Sequence, residues 1–132
     1  MKRKRRLKTI VMASFTLFVL SLSGCALTAE FEGTWVVTIV DVTITMTFGQ
    51  TSAEWVYTGG LVGDVTFSVE SYDEAADHIA LKVTSSTGDT VPNFPVGDYR
   101  FILYSINGNE MYIGISNSAY PATTDMGPCM KL

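Results

Sequence analysis

The sequence predicts an all-β protein, an antiparallel up-and-down meander of seven to eight strands, and two observations carry that prediction. Beyond residue 32, apolar residues recur with a period of two, and the runs that show this are short and separated by turn-forming residues. Helical periodicity is confined to a single turn at "DEAAD", 73–77. A meander of this size must hide its strand edges, which leaves a closed barrel or, as the alternative, a two-sheet β-sandwich.

The elements follow in order. "GTWVVTIV", 33–40, opens the series, and "VTITMTF", 42–48, places Val42, Ile44, Met46 and Phe48 on one face with three threonines on the other. "AEWVYTG", 53–59, is next, and "DVTFSVE", 64–70, sets Val65, Phe67 and Val69 against polar neighbours. Strict alternation of this kind marks strands with one buried and one wet face. "HIALKVT", 78–84, precedes a long connection, "SSTGDTVPNFPVGD", 85–98. "YRFILYSI", 99–106, and "EMYIGIS", 110–116, flank "NGN", whose residues tolerate positive φ and suit a tight hairpin. The tail, 117–132, is irregular. Of the inward-facing residues, Phe48, Tyr57, Phe67, Phe101 and Leu103 are expected to line the interior. Phe94, between Pro92 and Pro95, belongs either to a lid over a binding cavity or, with Val96, to an apolar plug in the barrel end.

Gly33, Thr34 and Trp35 read "GTW", which resembles the G-x-W signature of the calycin group of lipocalins, fatty-acid-binding proteins and avidins. The resemblance implies a barrel in which Trp35 packs across the closed end and Gly33 lets the chain enter beneath it. Classical lipocalins add an arginine that lies over the tryptophan. Arg100 and Lys131 are the candidates for that place in this chain, whose body is also shorter than a typical lipocalin.

The first 24 residues read as a removable address. "MKRKRRLK" holds six of the nine basic residues and is followed by "TIVMASFTLFVLSLSG", which carries no charge. This is the basic start, apolar middle and small-residue exit of a secretory signal, and it is shorter than the roughly 20 apolar residues of a spanning helix. Leu22, Ser23, Gly24 and Cys25 then match the lipobox of bacterial lipoproteins at every position. That resemblance implies a diacylglycerol thioether on Cys25, cleavage after Gly24 and attachment to the lipid bilayer of the cell envelope. Two or three acyl chains hold a protein durably where one binds reversibly. Ala26 stands where inner-membrane retention often uses Asp, which implies the outer membrane in a Gram-negative host. The expected organisation is a signal peptide over 1–24, an acylated tether over 25–31 and a lipocalin-like barrel domain over 32–132.

Removing the signal changes the charge. From Cys25 onward three basic residues face thirteen acidic ones, a formal balance of −10, which disfavours nucleic acid as a partner. Little in the chain points to catalytic chemistry. His78 is the only histidine, the acidic stretch around it lacks a calcium-loop pattern, and no serine sits in a G-x-S-x-G motif. No cofactor or metal is expected, and the chain reads as a non-catalytic module. Its barrel either holds a small apolar ligand or is filled by its own side chains and acts through its surface as a structural or protein-interaction lipoprotein. Once Cys25 carries lipid, Cys129 has no partner in its own chain. It is then an idle, tucked thiol or a link to a protein partner or a second copy.

Overall fold

In the computed structural model, residues 28–132 are described and form a closed antiparallel barrel of eight strands, each paired with its sequence neighbours. The strands are β1 (Gly33–Ile39), β2 (Val42–Phe48), β3 (Ser52–Gly59), β4 (Gly63–Asp73), β5 (His78–Ser86), β6 (Tyr99–Asn107), β7 (Glu110–Ser116) and β8 (Met126–Lys131). The alternation in the sequence explains most of them. Val42 and Thr43 through Phe48 pair residue for residue with both β1 and β3, and their apolar set faces in. Threonines on the outer face bond across the ladder, Thr34 to Thr47 at 3.1 Å and Thr38 to Thr43 at 3.0 Å. Such cross-strand pairs stabilise a sheet face that is open to water.

β4 and β5 make the longest pairing and carry two register shifts, one of which leaves Glu70 unpaired and turns Tyr72 toward the lower end. The turn after β4 is fixed by the Asp73 carboxylate, which accepts from the amides of Ala75 and Ala76. The turn from β6 to β7 uses Gly108 at φ +63, the hairpin that "NGN" predicts.

Two boundaries differ from the sequence expectation. The tail is not wholly irregular: residues 126–131 form β8 and close the barrel between β7 and β1. Gly127 and Pro128 hide this strand in the sequence. Its ladder with β1 is only two residue pairs long, so this seam of the barrel accepts a proline that a central strand would reject. Residues 28–31, expected to lie outside the barrel, also belong to the packed domain. Ala29 and Phe31 are buried in the core, so the packed domain begins near residue 28.

The lower end of the barrel carries residues 28–32 and the turns at 49–51, 74–77 and 108–109. The upper end carries the turns at 40–41 and 60–62 and the connection 87–98, which contains a short 3-10 turn over Gly88–Thr90. The segment 117–125 leaves the upper end and runs down the outer wall, as its contacts with β7, β6 and β5 show.

Candidate functional site

The barrel interior is where a ligand site was expected, and its lining is built in layers. Across four strands Trp35, Met46, Trp55 and Val65 are direct register partners. A second row runs Gly33, Phe48, Ala53, Phe67 and Val83, large beside small. Alternation of size lets facing side chains interdigitate in a barrel whose eight strands leave an interior only just wide enough for them. The rings touch: Trp55 lies 4.6 Å from Phe67 and 6.3 Å from Phe48 between centroids. Trp35, Trp55, Phe67, Met46, Leu81 and Ile102 have almost no surface that water could reach. A side chain without such surface adjoins no space large enough for a water molecule, so the middle of the barrel is filled.

The lower end is closed by residues 28–32. The Phe31 ring stands edge-on to Phe48, Tyr72 and Tyr104. Its carbonyl accepts the Trp35 indole N–H at 2.9 Å. The flanking backbone is pinned as well: Ala29 N donates to the Glu32 carboxylate at 2.6 Å, Gln50 donates to the same carboxylate at 2.7 Å, and Glu30 N donates to Glu74 at 2.7 Å. Lys131 completes this end, with Nζ 5.3 Å from the centre of the Trp35 ring. A cation over an indole face is attractive. Gly33 permits it, because a Cβ there would lie 3.0 Å from Lys131 Cε. Of the two basic candidates for a place over Trp35, Lys131 occupies it.

The upper end is closed by the 87–98 connection. Phe94 reaches in to lie 6.0–6.1 Å from the rings of Trp55, Tyr57 and Phe67. The Arg100 guanidinium covers its other side at 4.8 Å. Arg100 also donates to the carbonyls of Tyr99, at 2.7 Å, and Asn93, and sits 3.6 Å from Asp98. One buried cation thus staples the connection to the barrel mouth at several points. Phe94 is a plug; Val96 is not part of it and stands 68% exposed. Burial pushes the Tyr57 phenol up to about 12, with Arg100 opposing. Tyr104 is held neutral more strongly still, by burial first and then by the charges of Glu30, Asp77, Glu74 and Asp73. Among the described residues two buried atoms, Trp55 Nε1 and Tyr104 Oη, have no protein hydrogen-bond partner.

Of the six residues expected to line a ligand site, the structure gathers four inside: Phe48, Tyr57, Phe67 and Phe94. Phe101 and Leu103 are corrected, because β6 turns its other face inward and buries Arg100, Ile102 and Tyr104. Phe101 and Leu103 lie half-buried on the outer wall, where the 117–125 segment packs on Phe101. Tyr120 stacks on His78 with 3.7 Å between centroids and meets Phe101 edge-on at 5.2 Å. Leu103 lies in register between His78 and Gly114. β6 is apolar on both faces, and alternation alone does not say which set is inside. Sequence reasoning also missed Phe31, and it considered Arg100 only for the place over Trp35, whereas Arg100 lies over Phe94; both roles depend on loops that fold back over the barrel ends.

Cys129 is fully buried opposite Met111, and burial raises its thiol to about 11. A disulfide to a partner through Cys129 would require β8 to open first. The thiol is therefore expected to resist maleimide at neutral pH in the folded protein and to react fully in denaturant. Rapid native labelling would contradict its burial. A thiol whose value rises from 9.0 unfolded to about 11 folded favours the neutral form on folding. Its contribution to stability is complete below pH 9 and is lost progressively as the pH rises from 9 through about 11.

Residues Leu22, Ser23, Gly24 and Cys25 lie outside the described residues. Among the described residues no group of three or more His, Cys, Asp and Glu is placed to hold a metal ion. No protein-family model, no curated protein and no solved structure matches the chain.

Proposed function

We propose that the chain is a lipid-anchored envelope protein whose barrel is filled and acts through its surface, as a structural or protein-interaction module without catalysis. The observation that carries this choice over a small apolar ligand is the interior itself, packed through its middle, with Phe31 closing it below and the half-buried Phe94 capping it above. A binding cavity for a small molecule ordinarily has several hundred Å³ of open space. The lipobox at Leu22–Cys25 supports the anchor, and so does the position of the first packed residue. Only three residues separate Cys25 from Ala29, a reach of about 14 Å, which would hold the lower end of the barrel at the membrane surface.

Two measurements test the two halves of this reading. Cys25→Ser is expected to leave an uncleaved precursor, whereas normal processing and acylation of that variant would defeat the anchor. Titration of the purified full chain with oleic acid is expected to leave the emission of Trp35 and Trp55 unchanged. A saturable change at one equivalent would restore the ligand-binding barrel.

A further inference from the structure

The upper end of the barrel carries an apolar ridge. Ile39 and Val40 at the β1–β2 turn, Leu61 and Val62 at the β3–β4 turn, and Val91 beyond the 3-10 turn are all exposed. They share one rim, because the turns that bear them are bonded together. Gly60 N donates to the Asp41 carbonyl at 3.0 Å, Asp89 N to the Val62 carbonyl at 2.7 Å, and Val62 N to the Asp89 carboxylate at 2.9 Å. Such cross-bracing gives the ridge a defined shape.

Val40 is the most telling member. It is 96% exposed and adopts φ +58, a region in which a β-branched residue is a genuine outlier. Glycine or asparagine would fit the turn better and would remove an apolar side chain from water. The fold therefore gains nothing from this valine, and strain kept at an exposed tip points to a use outside the fold.

Charge selects the occupant. Asp41, Asp64 and Asp89 stand in or beside the turns that carry the ridge. Among the described residues the basic side chains are Lys82, Arg100 and Lys131. Arg100 is buried against Phe94, Lys131 lies over Trp35 at the other end, and Lys82 faces Tyr99 on the outer wall. A second copy would set carboxylates against carboxylates. A membrane surface with anionic headgroups would be repelled, and under the anchor reading the bilayer lies at the opposite end, about 20 Å away along the strands.

We infer that this ridge is the docking surface for a protein partner that presents an apolar groove rimmed by Lys or Arg. The inference deepens the surface-acting reading above and rests on it. Interfaces of this kind take their affinity from a small apolar centre and their selectivity from the charges around it.

The test places a photoreactive amino acid at Leu61 in the full chain, expressed in its own envelope and irradiated there. The expected product is an adduct with a different protein, crosslinked at an apolar segment within a few residues of Lys or Arg. Its yield should fall at least fivefold in Val40→Gly and in Asp41→Lys. Val40→Gly relieves the positive φ and should melt no lower than the parent, so a lost adduct is not lost folding; a lower melting temperature would contradict the strain argument. An adduct of twice the chain's mass, a lipid adduct, no adduct, or an adduct indifferent to both substitutions would each overturn the inference. Membrane fractionation of the same cells reports the anchor separately, since an unacylated chain in the soluble fraction would defeat that reading whatever the adduct shows.

Discussion

Phe31→Ala is expected to destabilise the barrel by about 3–5 kcal/mol, the usual range for removing a fully buried phenylalanine. The ring fills the lower end against Phe48, Tyr72 and Tyr104, and nothing near it is free to collapse into the space, because the surrounding strands are tied into a closed ladder. Urea unfolding followed by tryptophan emission measures the loss, and a change below about 1 kcal/mol would show that residues 28–32 are an appendage. The consequence extends beyond stability. If Phe31 seals the barrel, the chain leading to Cys25 leaves a fixed point on the lower end, so an anchor there would orient the domain as well as retain it.

Gly114→Ala is expected to dislodge the 117–125 segment and to lower stability by about 1–3 kcal/mol, as overpacking of a close contact commonly does. A Cβ at 114 would lie 2.1 Å from the Thr123 carbonyl and 3.0 Å from Pro121 Cβ. The first of these is backbone, which cannot swing aside, so the segment itself must move. Tyr120 would then lose its stack on His78 and expose Phe101. Limited proteolysis within 117–125 should accelerate while the barrel melts as one unit. Unchanged proteolysis would contradict the close passage over Gly114.

The strands with one wet face were legible because threonines and acidic residues alternate strictly with apolar ones, as in β2 and the first part of β4. Trp35 lies at the lower end, bonded to Phe31, and Lys131 as the cation over its indole emerges only once β8 is in place. What the pattern did not reveal has a common cause. β6 carries Phe101 and Leu103 on one face and Ile102 and Tyr104 on the other, and which pair is outside is set by its register with β5 and β7 and by the 117–125 segment that packs on Phe101. β8 is masked by Gly127 and Pro128, and its place is fixed by neighbours far away in sequence. Phe94 was legible as either lid or plug; the choice depended on Arg100, whose inward face no local rule supplies. Residues near the barrel ends are set by loops that return from elsewhere, and a short window of sequence does not contain that information.

The filled interior is the claim on which the functional reading turns, and native mass spectrometry of the protein extracted from membranes tests it most directly. The predicted mass is that of residues 25–132 plus the acyl groups on Cys25, with no further adduct. A single small apolar molecule retained at one equivalent through gentle desolvation would contradict the filled barrel and return the interior to the role of a binding site.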